Sequence, residues 1–121
     1  MKRIRLFALG VLATIAFSSA LPTSADAPVY LNHGTCSATG TTIDYSSSTQ
    51  GVTFGGTTGC LAGLDFFWQD PVLGGWYANG FQAGYTYLSS SVPFQTNGQS
   101  WHSIKQDGMT GADSAYSYTW T

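Results

Sequence analysis

The only imidazole side chains in the sequence are His33 and His102, so acid–base chemistry near neutral pH would depend on one of them. His102 alternates with Ile104, which predicts a sheltered place on a strand and a hydrogen-bonded, structural role. The sequence contains none of the motifs G-x-S-x-G, H-E-x-x-H, D-T-G and D-S-G. It therefore gives no support to the hydrolase and peptidase classes that such motifs mark.

Carboxylate pairs are a second source of chemistry, because glycosidases place two of them beside a sugar linkage. Asp65 and Asp70 are close in the sequence and are the candidates. A chain this short rarely makes a cleft that holds and distorts a sugar, and Asp70 stands before Pro71, which favours a turn. We expect Asp70 to begin a turn, Asp65 to face solvent, and the protein not to be an enzyme.

Hard oxygen ligands for calcium occur together in the segment QDGMTGADS, where Asp107, Asp113 and the Thr110 hydroxyl could join loop carbonyls. The segment lacks the ligand order and the bidentate glutamate of an EF-hand. Its dipeptide Asp107-Gly108 is a strong hairpin signal. The favoured interpretation is a turn without metal, and no cofactor is expected.

The N-terminal residues have the three parts of a secretory signal peptide. Basic residues lie within Lys2–Arg5, an apolar run covers Leu6–Phe17, and small residues follow over Ser18–Ala27. The apolar run has about 12 residues, fewer than the roughly 20 that cross a bilayer. This pattern indicates export of a small bacterial protein.

Cleavage is predicted after Ala25, because Thr23 and Ala25 place small residues at the two recognition positions. A cut after Ala20 is the second choice. The predicted organisation is a signal peptide over residues 1–25 and one secreted β domain over residues 26–121. We expect no membrane span once the signal peptide is removed.

The charge of residues 26–121 narrows the possible partners. One lysine, Lys105, stands against six aspartates, which leaves a net charge of −5. Nucleic acid and anionic lipid are bound through clustered lysine and arginine, so both are excluded as expected partners. Neutral glycans and protein surfaces remain.

Two cysteines, Cys36 and Cys60, follow the predicted cleavage site. In an exported protein an even count favours a disulfide, whereas metal sites prefer closely spaced pairs with histidines. The closed loop would contain 25 residues. Chain entropy then gives about 3.5 kcal/mol of stabilisation.

The remaining sequence favours strands, because glycine, aromatic and β-branched residues dominate and no helical period is present. The predicted fold is all-β, a small antiparallel sandwich or barrel. Hairpin turns are predicted at Asn79-Gly80, Asn97-Gly98 and Asp107-Gly108, and the second of these would set Phe94 opposite Trp101. The predicted strands are Pro28–Asn32, Thr41–Ser47, Gly51–Phe54, Leu64–Gln69, Trp76–Ala78, Phe81–Leu88, Val92–Thr96, Ser100–Gln106 and Ser114–Thr121.

The C-terminal run SAYSYTWT alternates rings with hydroxyls, so Tyr116, Tyr118 and Trp120 share one strand face. The favoured interpretation places these rings in the core and the hydroxyls in water. Two alternatives stay open. The rings could form an exposed platform for sugars, or the strand could lie at a sheet edge and offer itself to a partner chain.

A second aromatic group begins with the consecutive Phe66, Phe67 and Trp68, which must point to opposite faces. A small sandwich cannot cover both faces, so we expect some rings of this group at the surface. Asn79 and Gln82 could add hydrogen bonds to a ligand there. The candidate exposed rings are Phe67, Trp76, Tyr77 and Tyr85.

These observations predict a secreted, non-catalytic binding module that contacts a neutral glycan or a protein through exposed aromatic residues. A secreted antimicrobial, bacteriocin-like effector is one alternative. A peptidase inhibitor is another, in which the Cys36–Cys60 loop would enter a protease cleft; that loop has no lysine or arginine, which disfavours trypsin-like targets.

Non-reducing mass spectrometry of the secreted protein tests the predicted processing. We expect a chain that begins at Asp26 and a mass two hydrogens below that of the reduced chain. A secreted form with two free thiols would contradict the disulfide. A chain that begins at Leu21 would replace the first cleavage site with the second.

Overall fold

The structure is a computed structural model that describes residues 22–25 and 27–120. In that part of the chain there are nine β-strands and no helix. Apart from its last four residues, the predicted signal peptide lies outside the described residues. The strands are β1 Pro22–Ala25, β2 Val29–His33, β3 Cys36–Tyr45, β4 Thr49–Phe54, β5 Cys60–Gln69, β6 Trp76–Gly84, β7 Leu88–Val92, β8 Gly98–Gln106 and β9 Asp113–Thr119.

Two antiparallel sheets lie face to face, so the predicted all-β sandwich is confirmed. The first sheet has the order β1-β3-β4-β7, and β2 pairs with the edge of β3 that β1 also uses. The second sheet has the order β6-β5-β8-β9. Because β1 ends at Ala25, the predicted cut there would remove this strand, whereas a cut after Ala20 would keep it.

The disulfide between Cys36 and Cys60 is confirmed and joins the two sheets at the starts of β3 and β5. Its Cα atoms are 5.5 Å apart. Next to it lies an apolar cluster built from both sheets, which buries Leu31, Ala38 and Ile104. The covalent link therefore holds the sheets together beside this apolar cluster.

Two of the three predicted glycine turns differ from expectation. The connection after β8 does turn at Asp107-Gly108, where Met109 N donates to Gln106 O at 3.1 Å. Asn79-Gly80 instead lies inside β6 as a bulge opposite Phe66. Gly80 has a φ of 105°, so its positive φ serves the bulge rather than a hairpin.

Asn97-Gly98 does not form a hairpin turn either. The predicted strand Val92–Thr96 is not observed as such, because β7 covers Leu88–Val92 and only Val92 belongs to both. Gly98 begins β8, where a Cβ atom would lie 3.0 Å from Thr49 Cγ2 on the facing sheet. Glycine is needed here for the close approach of the sheets.

The predicted pair of Phe94 with Trp101 is consequently absent. Phe94 meets the Trp68 ring edge-on, with ring centroids 5.4 Å apart. The Trp101 ring lies instead 6.0 Å from the ring of Phe81.

The C-terminal strand shows the opposite arrangement to the one favoured from its sequence. Ser117 and Thr119 are buried, with 0% and 2% of their surface exposed. Tyr116, Tyr118 and Trp120 are exposed, so the prediction that they form the core was wrong. The reason is the narrow gap between the sheets: Thr42 Oγ1 lies 2.6 Å from Ser117 Oγ, which leaves no room for a ring.

The centre of the sandwich is a hydrogen-bonded polar network around His102, which is fully buried as expected. Its Nδ1 lies 2.7 Å from Thr53 Oγ1, and its Nε2 lies 2.7 Å from Ser117 Oγ. Thr53 donates its own hydroxyl proton to Gly63 O at 2.9 Å. Thr53 Oγ1 must therefore accept from Nδ1–H, and Nε2 accepts from Ser117.

The facing strand makes room for the imidazole ring with a glycine. A Cβ atom at Gly40 would lie 2.2 Å from His102 Cγ, so any larger residue would displace the ring. Burial lowers the pKa of His102 to about 3. The ring is therefore neutral and bound to hydroxyl groups on both sides.

This depressed pKa predicts acid sensitivity. The unfolded state binds a proton on His102 below pH ~6.5, whereas the folded state does not until pH falls to about 3. The resulting stability is complete above pH ~6.5 and falls by up to about 1.4 kcal/mol per pH unit below it. Urea unfolding should give a free energy about 2 kcal/mol lower at pH 5 than at pH 7.5.

The control for this experiment is His102→Gln, which keeps a polar side chain but does not titrate. Its free energy of unfolding should change much less than that of the wild type between the two pH values. An equal change in both proteins would show that other groups cause the acid sensitivity.

Candidate binding face

The outer face of the second sheet carries a continuous group of aromatic side chains. Inward positions are fixed by burial: Phe66, His102 and Ser117 are fully buried between the sheets. Their strand neighbours point the other way, because successive side chains alternate. We call this outer group the aromatic face; it consists of Phe67, Trp76, Phe81, Trp101, Tyr116, Tyr118 and Trp120.

Strand register sets the rings in rows across the sheet. In one row Asp65 stands between Phe81 and Trp101, and Trp101 pairs with Tyr116. In the next row Gln99 stands between Phe67 and Tyr118. The rings therefore come from all four strands, with uncharged or acidic polar residues between them.

Contacts between the rings join the two edge strands of this sheet. The rings of Tyr116, Tyr118 and Trp120 follow one another along β9, with centroids 6.3 and 6.1 Å apart and planes within 26° and 9° of parallel. Trp76, at the start of β6, meets Trp120 edge-on at 6.2 Å. At that end of the sheet the Trp76 and Trp120 rings therefore span the two central strands, β5 and β8.

Solvent exposure of the side chains distinguishes the aromatic face from the core. The exposed fractions are 57% for Phe81, 55% for Trp120, 46% for Tyr116 and 43% for Trp76. Large rings exposed together on one face of a protein are typical of a binding surface. The face rests on four hydrogen-bonded strands, so its rings are held on rigid backbone.

One carboxylate, that of Asp65, lies within the aromatic face. Its Oδ1 has no solvent contact and no hydrogen-bond partner in the described chain, contrary to the expectation that Asp65 simply faces solvent. The only lysine or arginine among the described residues, Lys105, lies toward the far end of β8 and donates to Met109 O at 2.7 Å. Cationic side chains therefore contribute little to this surface.

The predicted binding residues are divided by the fold. Phe67 and Trp76 belong to the aromatic face. Tyr77 is exposed but lies on the opposite side of β6, stacked on Trp68 at 5.0 Å. Tyr85 is exposed in the connection after β6 and donates to Asp107 Oδ2 at 3.3 Å, and the Asp107 charge raises the pKa of Tyr85.

Asn79 and Gln82, the two polar residues predicted to contact a ligand, instead form hydrogen bonds between the two sheets. Asn79 Nδ2 donates to Ser90 Oγ at 2.9 Å, and its Oδ1 accepts from Trp68 Nε1 at 2.9 Å. Gln82 Nε2 donates to Ser89 O at 3.0 Å. Both amides therefore connect β6 to other elements of the sandwich and are not on the aromatic face.

Three members of the site were missing from the sequence-based set: Phe81, Trp101 and Asp65. The signal for Trp101 is present in the sequence, because Trp101, Ser103 and Lys105 alternate with the sheltered His102 and Ile104. Phe81 and Asp65 could not be assigned in this way. Their positions depend on the bulge in β6 and on the pairing of β5.

The other acidic residues at described positions have structural partners. Asp70 Oδ1 accepts from Val72 N at 2.8 Å and from Leu73 N at 3.0 Å, so it begins the turn after β5 as predicted. The Leu73 and Val72 amides hold the pKa of Asp70 below its ordinary value. Asp113 Oδ2 accepts from Asn32 N at 2.8 Å. The described residues contain no group of three or more potential metal ligands from His, Cys, Asp and Glu.

Comparison with known proteins gives no relative: no family model, no curated protein and no solved structure matches the chain. In the described part of the chain there is no helix long and apolar enough to span a membrane. The function must therefore be argued from the geometry of the aromatic face.

Matched alanine variants test the assignment of rings to surface and core. Phe66→Ala should destabilise the protein by about 3–5 kcal/mol, because it empties a fully buried site. Tyr116→Ala should cost less than about 1 kcal/mol, because its ring is largely in solvent. Urea unfolding measures both, and a cost for Tyr116→Ala equal to that of Phe66→Ala would place this ring in the core.

Proposed function

We propose that the protein is a secreted, non-catalytic binding module that holds a neutral glycan on its aromatic face. The observation that carries the proposal is the outward placement of seven rings on one sheet, five of them exposed. The Cys36–Cys60 disulfide in a small all-β protein is compatible with an extracellular location.

The chemistry of the aromatic face suits sugars. A pyranose ring has an apolar face that stacks on aromatic side chains, while its hydroxyls need polar groups nearby. Gln99 faces outward between Phe67 and Tyr118 and supplies an uncharged donor and acceptor. Lys105 is the only lysine or arginine of the described chain, so ion pairs are a minor part of the expected affinity.

A protein partner is the second candidate, and the position of β9 favours it. This strand ends the order of the second sheet, where a strand from another chain could pair. The inhibitor alternative has less support, because most of the Cys36–Cys60 loop forms β3 and β4 inside the first sheet. No observation favours the antimicrobial alternative.

Calorimetric titration with uncharged hexasaccharides of glucose, xylose, mannose and N-acetylglucosamine tests the glycan proposal. At least one should bind, and Tyr116→Ala should weaken that binding by about 5- to 30-fold, corresponding to about 1–2 kcal/mol. Raising the salt from 50 to about 500 mM should change the dissociation constant less than about twofold, because few ion pairs can form.

Tyr85→Ala is the matched control, because Tyr85 is 45% exposed, Tyr116 is 46% exposed, and only Tyr116 lies on the aromatic face. The control should bind like the wild type. Equal losses in both variants would contradict the assignment of the site. Absence of binding to every hexasaccharide, with capture of a protein that pairs with β9, would favour the second candidate.

A further inference from the structure

Asp65 occupies the middle of the aromatic face. Its neighbours across the sheet are Phe81 on β6 and Trp101 on β8. These two strands flank β5 and are about 10 Å apart, given the usual spacing of strands. The ring centroids of Phe81 and Trp101 are only 6.0 Å apart, so the rings lean toward each other across β5, and the Phe81 ring reaches over Gly63 beside Asp65.

One oxygen of the Asp65 carboxylate lacks a hydrogen-bond donor among the described residues. Asp65 Oδ1 is shielded from solvent and has no partner among the described residues. Along β5 the outward neighbours of Asp65 are Gly63 and Phe67, whose side chains carry no donor. Neither the indole N–H of Trp101 nor the hydroxyl of Ser103, whose Oγ lies over Gly63, donates to Oδ1.

A shielded acceptor without a donor costs free energy, and native proteins contain few such groups. A group of this kind on a binding surface is explained if the ligand supplies the donor. The aromatic face is far wider than one small cation would fill, and its rings suit an extended ligand with apolar faces. A hydroxyl of such a ligand would donate a hydrogen bond to Oδ1 while the apolar faces of the ligand stack on the rings.

We propose that Asp65 is the specificity-determining residue of the aromatic face and accepts a hydrogen bond from a hydroxyl of a pyranose stacked on its rings. This inference rests on the proposed glycan function. Because water is excluded around Oδ1, a bond made there contributes more than one made in open solvent.

Phe81 supplies the route to this oxygen. Its ring is 57% exposed, and exposed side chains change rotamer within picoseconds to nanoseconds. Rotation of the ring away from Trp101 opens the surface between the two strands that flank Asp65, and the arriving sugar then occupies that space. Phe81 and Asp65 therefore act together, the first as a cover and the second as the acceptor.

The variant Asp65→Asn tests the inference, because it keeps the shape of the side chain and removes the charge. For the hexasaccharide that the wild type binds most tightly, calorimetry should show affinity at least tenfold lower. The melting temperature should stay the same or rise, because no hydrogen bond to Oδ1 is lost. A residue needed only for the fold would lower both quantities together.

Asp107→Asn is the control, since Asp107 is an exposed carboxylate that bonds Tyr85 away from the aromatic face. It should leave the dissociation constant unchanged within about twofold. Retained affinity in Asp65→Asn, combined with loss in Tyr116→Ala, would overturn the role of Asp65 and leave the glycan function standing. A lower melting temperature in Asp65→Asn would overturn the claim that the carboxylate is unpaired.

Two further outcomes would overturn both proposals. One is a wild-type protein that binds none of the hexasaccharides. The other is a wild-type protein that binds tetramethylammonium chloride but no hexasaccharide, and loses that binding in Asp65→Asn; the carboxylate and rings would then hold a cation.

Discussion

The close approach of the two sheets around His102 determines how the rest of the molecule is arranged. Thr42 lies at hydrogen-bond distance from Ser117 and Thr53 from His102 across the gap, and glycine at position 40 leaves space for the imidazole ring. Small and hydroxylated residues are the ones that fit so narrow an interior. Because the network joins both sheets, a change at one of its members leaves a buried polar group unpaired in the other sheet.

The aromatic face is the consequence of that interior. Strand residues alternate between faces, so β8, which turns Ser100 and His102 inward, must turn Trp101 outward. In the same way β9 turns Ser117 inward and Tyr116 and Tyr118 outward. The usual order of a sandwich, with rings inside and hydroxyls in water, is reversed in β9. The exposure of these rings is the observation on which the proposed binding function rests.

The sequence was sufficient for the fold class and for the Cys36–Cys60 disulfide, because strand-forming composition and an even cysteine count are properties of the chain itself. It could not assign the faces of β9. Alternation in SAYSYTWT is equally compatible with rings inside and rings outside, and only the distance to the facing sheet decides between them. Asn79-Gly80 was misread for a similar reason, since a positive φ serves a bulge as well as a hairpin. The position of Asp65 between two rings depends on strand register, which local patterns do not fix.

Indole N–H signals in a nuclear magnetic resonance titration test the central claim most directly. Three of the four tryptophans, Trp76, Trp101 and Trp120, belong to the aromatic face, whereas Trp68 donates to Asn79 on the other side of the sheet. Addition of the neutral hexasaccharide that binds most tightly should shift the first three signals and leave the signal of Trp68 in place. A shift confined to Trp68, or no shift in the three outward tryptophans while the sugar binds, would show that the glycan is held elsewhere.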